Sequence, residues 1–401
     1  MKKILFFIVL FILFLPFGSA MPLPVDITAD AAILYSLDQD GVVYEKNADK
    51  QEIMASLTKI MTAYTVIQNV SNLNEKVVVT NQDIAYLYGF TCAGLKEGDK
   101  VSYLDLLYAM MLPSGADASQ TLAYHVGGSL ENFKTMMNNE AKKLGLENTN
   151  FEDSYGGHDD NVSTAKEMMI LLKTALENDT FKKVFTTQRY TLSNGLQVTN
   201  YTDSLAFFHG LETGVIKGSK SGFTPEAGLL LASIANINGH DYILILCKSK
   251  INEYYSTHVL ETYKVFDYLK TQKFQKRNII KKGQILGKVE VLNSTVSEYV
   301  VTSDEDFNLL LNDTDYQKVS LEYNIAETIS PRNKVGDNIG YVDVLVGDEI
   351  VYTYNVFLKE EIFAFQEPSR ALIVICVILV FVVIFLLCAN LLMFGKRKLK
   401  K

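Results

Sequence analysis

Ser56 and Lys59 stand three positions apart at the start of an apolar helical pattern. On a helix such positions have Cβ atoms about 5–6 Å apart, so the amine can reach the hydroxyl. A serine hydroxyl is a poor nucleophile until a base removes its proton. Lys59 can be that base only when neutral, and burial or a second cation nearby favours the neutral form. Far downstream, Lys220-Ser221-Gly222 leads into Phe223-Thr224, just before an apolar strand. Lys220 could supply the second cation. Gly222 lets a substrate backbone approach the strand edge. Lys220 and the hydroxyls of Ser221 and Thr224 have the donors to grip a carboxylate. Ser56 near a helix N-terminus also places backbone N–H groups where an oxyanion could form.

Spacing alone is weak evidence. Ser163-Thr164-Ala165-Lys166 repeats it, and there the simpler reading is a helix start with Ser163 as N-cap. The simpler reading of Lys220-Ser221-Gly222 is a turn with a solvated lysine. The case rests on the motifs occurring together in one ordered set.

The elements that would position these residues are legible in outline. Ala31-Ala32-Ile33-Leu34-Tyr35 and Gly41-Val42-Val43-Tyr44 read as a hairpin. Helical patterns cover 56–70, 104–111, 119–126, 130–144 and 164–176. Apolar runs at 227–235 and 242–247 join across Asn238-Gly239, a hairpin signal. Strands at both ends with helices between predict an α+β fold whose terminal segments share one antiparallel sheet. A polar linker near 270–282 precedes short alternating runs at 288–291, 319–323 and 341–346, the last turning at Gly347-Asp348 into 350–352. These predict a small all-β domain, with the simple role of a spacer.

The ends carry their own signals. Lys2 and Lys3 precede an apolar run from Ile4 to Phe17, then Gly18-Ser19-Ala20. This pattern predicts a secretory signal peptide over 1–20. Ala371 to Phe394 is uncharged and nearly all apolar, long enough as a helix, about 36 Å, to cross a hydrocarbon core of about 30 Å. Five basic residues follow within 395–401, so the tail is expected in the cytoplasm. The organisation expected is a signal peptide 1–20, a catalytic domain 22–270, a β domain 276–365, a transmembrane helix 371–394 and a basic tail 395–401. The catalytic domain would lie outside the cell membrane on a single-pass anchor.

The chain's net charge is −8, of which the two tails contribute +2 and +5, so the portion between them stands at −15. An acidic ectodomain repels nucleic acid and offers it no basic patch. Five scattered histidines and four cysteines without Cys-x-x-Cys spacing argue against a zinc peptidase. No metal or cofactor is expected. Cys92 and Cys247 are read as two separate buried thiols.

Taken together, these motifs make the chain resemble the D-alanyl-D-alanine carboxypeptidases, the low-molecular-mass penicillin-binding proteins, over most of residues 29–270. Further family-like stretches are Ala55 to Thr62, Met137 to Gly145 and Ser163-Thr164-Ala165. The resemblance implies a penicillin-binding/β-lactamase-like catalytic domain, with the C-terminal β domain and anchor also fitting. It implies that Ser56 attacks the carbonyl between two D-alanines of a peptidoglycan stem peptide, with Lys59 as base. Ser114, in Ser114-Gly115-Ala116, would relay protons toward the leaving amine. Lys220, Ser221, Gly222 and Thr224 would bind the terminal carboxylate end, and the backbone N–H groups of Ser56 and Phe223 would form the oxyanion hole. β-Lactams would acylate Ser56 durably.

The chain departs from the family pattern at Ala116, where an asparagine is usual. Loss of one such hydrogen-bonding group can reduce a rate by roughly 10²–10³. Asp117 is adjacent but points elsewhere. Two other functions compete: a β-lactamase-like hydrolase, for which no deacylating glutamate is identified, and a wall-binding scaffold with an impaired site.

Overall fold

A computed structural model describes residues 25–252, 256–365 and 374–387. The segment 1–20, expected to be a signal peptide, and the basic tail 395–401 lie outside the described residues, as do both ends of the apolar run 371–394. Residues 374–387 of that run are helical with exposed apolar side chains. Among the described residues no helix is long and apolar enough to cross a membrane.

The chain divides into two compact units. The larger holds the residues through Ile280 with Asp306–Ser320 and Val344–Tyr352; the smaller holds Lys281–Glu305, Leu321–Asp343 and the residues from Thr353.

The frame of the larger unit is a five-stranded antiparallel sheet. Its strands are β1 (Ala31–Ser36), β2 (Gly41–Lys46), β3 (Ile216–Thr224), β4 (Gly228–Ile237) and β5 (His240–Ser249), in the spatial order β2-β1-β5-β4-β3. The first hairpin and the β4–β5 hairpin are as the sequence predicts. At the latter, Asn238 and Gly239 have φ of 54° and 87°, the positive values a two-residue turn of this kind requires. β1 pairs with β5 in the register Ile33↔Ile245, which brings the two ends of the domain into one sheet. β3, which carries Lys220-Ser221-Gly222, is an edge strand.

Every residue of β1 is buried, because the sheet is covered on both faces. Ile33, Ile243 and Ile245 join one core with helices on that side; Leu34, Leu244 and Leu246 join a second core on the other. That is why these strands read as continuous apolar runs rather than alternating ones. The first core is closed by α1 (Thr58–Asn69), α2 (Tyr103–Met111), α3 (Ala116–Gly127), α4 (Leu130–Lys143) and α5 (Ala165–Leu176). The second is closed by α6 (Thr257–Thr271), through Val259, Tyr263, Phe266 and Leu269. The sequence pattern did not reveal α6: its buried positions include His258, Glu261 and Thr262, which blur the apolar stripe.

Between residues 275 and 357 the main elements are strands, with one short helix at Asp313–Tyr316. Gln275–Ile280 pairs antiparallel with Phe307–Leu311. Ile285–Val291 pairs antiparallel with Glu298–Thr302 and parallel with Thr328–Ile329. Val319–Ile325, Asn338–Val346 and Glu349–Phe357 are also strands, with the predicted turn at Gly347. An all-β C-terminal region is therefore present.

Candidate active site

The nucleophile candidate sits on a short turn. Ala55–Leu57 is one turn of 3₁₀ helix running directly into α1. Ala55 is held at φ 43°, a conformation that a residue with a Cβ adopts only when its surroundings impose it. Ser56 follows, half-buried. α1 seats Ile60, Met61, Ala63 and Val66 in the core, and this fixes the direction of Lys59 in its first turn. Lys59 is 1% exposed.

The Lys59 amine donates to the Ser56 Oγ at 3.0 Å and to the Tyr155 carbonyl at 2.7 Å. Burial pulls its pKa from 10.5 down to about 7; Asp153, Asp117 and Cys92 pull the other way without cancelling it. A buried ammonium is disfavoured because it leaves water. The site thus holds a lysine that can be neutral near neutral pH, within hydrogen-bond reach of a serine hydroxyl.

The edge strand β3 closes over this turn. A β-carbon on Gly222 would lie 3.2 Å from the Ser56 nitrogen, 3.1 Å from Leu57 Cδ1 and 3.3 Å from the Met54 carbonyl. Glycine at this position lets strand and nucleophile turn come together. Lys220 is not the solvated lysine of the simpler reading. It is 2% exposed and donates to the Ser221 carbonyl at 2.7 Å. Burial, then repulsion from Lys59, push its pKa well below 10.5. Ser221 and Thr224 are half-buried and Phe223 is 53% exposed. The Thr224 Oγ accepts the Ala227 N–H at 3.0 Å, which leaves its own proton to donate.

Ser114 lies in the loop between α2 and α3, half-buried and at φ 67°. Among the described residues its hydroxyl makes no hydrogen bond. Ala116 opens α3, 1% exposed, with its N–H on the Thr91 carbonyl at 2.8 Å. Asp117 does point elsewhere. Its carboxylate accepts the N–H groups of Ala93, Gly94 and Leu95 at 2.7–3.0 Å, and its own neighbour's, Ala118, at 2.9 Å.

Two expectations need correcting. At Ser163 the N-cap is Thr164, whose hydroxyl accepts the Glu167 N–H at 3.0 Å. Ser163 itself is in a short strand, bonded to Thr149, and Lys166 pairs with Asp49 at 3.0 Å. Spacing failed there because no helix turn carries both residues. Cys247 is buried but Cys92 is exposed, and both are free thiols. Cys92 sits in the loop pinned by Asp117, at the rim of the site rather than in the core. Among the described residues no His, Cys, Asp and Glu cluster could hold a metal.

The sequence reading missed the segment that faces Lys59. Asp153-Ser154-Tyr155-Gly156-Gly157 supplies the lysine's second acceptor, the Tyr155 carbonyl. Its one visible signal was the Gly156-Gly157 pair. A backbone carbonyl has no side-chain signature.

Comparison with known proteins agrees with this geometry. Residues 18–250 match the family model described as D-alanyl-D-alanine carboxypeptidase. Residues 274–363 match that of the penicillin-binding protein 5 C-terminal domain. The D-alanyl-D-alanine carboxypeptidase DacF of Bacillus subtilis is 26% identical over 344 residues, covering 83% of this chain and 85% of that protein. The D-alanyl-D-alanine carboxypeptidase of Streptomyces sp. strain K15 is 35% identical over 216 residues, covering 50% of this chain and 74% of that protein. The crystal structure of the carboxypeptidase DacD from Francisella tularensis shares the fold, with a TM-score of 0.62 at 19% identity, covering 86% of this chain and 96% of that one. With the Ser-Lys turn and the glycine-bearing edge strand in place, the chain belongs to the D-alanyl-D-alanine carboxypeptidase family, the low-molecular-mass serine penicillin-binding proteins.

Proposed function

We propose that this enzyme removes the terminal D-alanine from peptidoglycan stem pentapeptides through an acyl-enzyme on Ser56. The observation that carries the assignment of roles is the 3.0 Å contact between the Lys59 amine and the Ser56 Oγ, made by an amine whose pKa burial has brought to about 7. A base with a pKa near the working pH has the best balance of availability and strength.

In this reading Lys59 takes the Ser56 proton as Oγ bonds to the carbonyl carbon between the two D-alanines. The oxyanion is held by the backbone N–H groups of Ser56 and Phe223. The C–N bond breaks as a proton passes through Ser114 to the leaving amine, and D-alanine departs. Water then attacks the ester and returns the proton to Ser56. Lys220, Ser221 and Thr224 hold the substrate's terminal carboxylate beside Gly222. Lys220 binds its proton more firmly once that carboxylate arrives, because an opposite charge favours the charged form. β-Lactams acylate Ser56 by the same route.

The apolar run 371–394 and the basic residues that follow it support a single-pass C-terminal anchor. The segment 1–20 supports export. The catalytic domain then faces the cell wall. Retention of the protein in membranes after alkaline carbonate extraction tests the anchor.

The activity is tested by incubating the protein with a peptide ending in D-Ala-D-Ala. D-alanine release is expected, and Ser56→Ala abolishes it. No release by the unmutated protein would sink the assignment.

A further inference from the structure

Lys59 has a long flexible stem, and its alignment on Ser56 is set by what else its amine binds. That second partner is the Tyr155 carbonyl, 2.7 Å away. A backbone carbonyl is only as well placed as the turn that carries it. Thr62 Oγ1 and Ser119 Oγ each donate to the Ser154 carbonyl at 2.6 Å, and the amides that follow are gathered by one side chain, Asp153. The Asp153 Oδ1 accepts the N–H groups of Tyr155 at 2.9 Å and Gly156 at 2.6 Å; the Oδ2 accepts those of Gly157 at 2.9 Å and His158 at 2.8 Å. Four consecutive amides converge on one carboxylate.

The same turn is locked to the nucleophile. Gly156, at φ +83°, packs on the Ala55 carbonyl and the Ser56 nitrogen. At its base, the Asn161 Oδ1 accepts the Glu152 and Asp153 N–H groups at 3.0 and 3.3 Å. Asn161's own carbonyl accepts the Met54 N–H at 2.8 Å, two residues before Ser56. Turn and nucleophile are therefore joined by direct backbone contact and hydrogen bonding.

We propose that Asp153 is a positioning residue for catalysis: it clamps the turn that presents the Tyr155 carbonyl to Lys59 and so holds the amine on Ser56. In this chain, where Ala116 has no side-chain acceptor to offer, the clamped carbonyl does the orienting. The proposal rests on the reading of Ser56 and Lys59 as nucleophile and base.

Asp153 also acts by charge. The charged and titratable groups facing Lys59 are Asp153, Asp117 and Cys92, which favour its protonated form, and Lys220, with which it repels. Asp153→Asn keeps the shape, removes the charge and turns one acceptor into a donor facing amides. A role in packing alone would lower stability without moving the lysine's titration.

The test measures the rate of Ser56 acylation by a fluorescent penicillin from pH 5 to 9 on the full-length protein, with melting curves of each variant. Asp153→Asn is expected to slow acylation at least tenfold at the pH optimum and to move the acid limb of the profile down by about one unit. Asp153→Ala, which removes the acceptor of all four amides, is expected to slow it by about 10². If Asp153→Ala does not fold, Asp153→Asn carries the test by itself. An unmoved acid limb overturns the proposal, whether the rate is unchanged or falls only in step with stability. Absence of labelling in the unmutated protein would instead overturn the Ser56 reading, and the role of Asp153 with it.

Discussion

Gly156 sits against the carbonyl of Ala55, so closely that a β-carbon at position 156 would stand 1.8 Å from that oxygen and 2.8 Å from the Ser56 nitrogen. Two backbones meet there with no side chain between them, and Ala55 already holds a φ of 43°. Gly156→Ala must therefore push the nucleophile turn away and also strain its own φ of +83°. The expected result is a loss of about 3 kcal/mol or more in stability and a fall of at least roughly 10² in penicillin acylation. Denaturant melts and labelling rates check this; near-native labelling would contradict the close contact.

Acylation should depend on pH through Lys59. With its neutral form as the proposed base, the rate is expected to climb as pH rises and to reach half its plateau near the lysine's pKa of about 7. A labelling profile already flat from pH 5 upward would exclude Lys59 as the titrating base.

The same burial has a stability consequence. The unfolded lysine keeps its proton up to 10.5, whereas folded Lys59 releases it at about 7. Between those values the unfolded chain holds more protons, so stability rises with pH across that window. Below about 7 the penalty for burying Lys59 is fully present, and it fades as pH approaches 10.5. Lys59→Met removes the charge and keeps the bulk. It is expected to stabilise the protein by about 1–3 kcal/mol at pH 7, by less at pH 10, and to abolish acylation. Equal stability of the two proteins at both pH values would refute this account.

Asp117 is committed to the backbone of Ala93, Gly94 and Leu95 and is 2% exposed. Asp117→Ala strands four amides, those of Ala93, Gly94, Leu95 and Ala118, and charge-assisted bonds of this kind contribute about 1.5–3 kcal/mol each before relaxation. A net loss of about 3 kcal/mol is expected, with slower acylation as the 91–95 loop loosens beside the site. An unchanged unfolding midpoint would show that the loop is held by something else.

Cys92 is exposed and lies within electrostatic range of both Lys59 and Asp117. Burial and Asp117 raise its thiol pKa, so alkylation should quicken as pH rises. Iodoacetamide is expected to modify Cys92 and block penicillin labelling, while Cys92→Ser is labelled normally before and after treatment. Blockage that persists in Cys92→Ser would place the reactive group elsewhere. Cys247 is buried and should stay unmodified until the protein unfolds.

What the amino-acid order determined by itself was local. Three-residue spacing on a helix put Lys59 within reach of Ser56, and Asn238-Gly239 specified its hairpin through positive φ. The continuous apolar runs of β1, β4 and β5 showed strands, because a sheet covered on both faces needs no polar alternation. The departure at Ala116 was also plain in the order of residues. What tertiary structure decided were relations between segments distant in sequence. It showed that Lys220 is buried beside Lys59 rather than solvated, because an edge strand laid over the nucleophile turn excludes water from both amines. It supplied the second acceptor of the Lys59 amine, a main-chain carbonyl 96 residues away. Every residue carries such a carbonyl, so only the path of the chain could single out Tyr155, and with it Asp153.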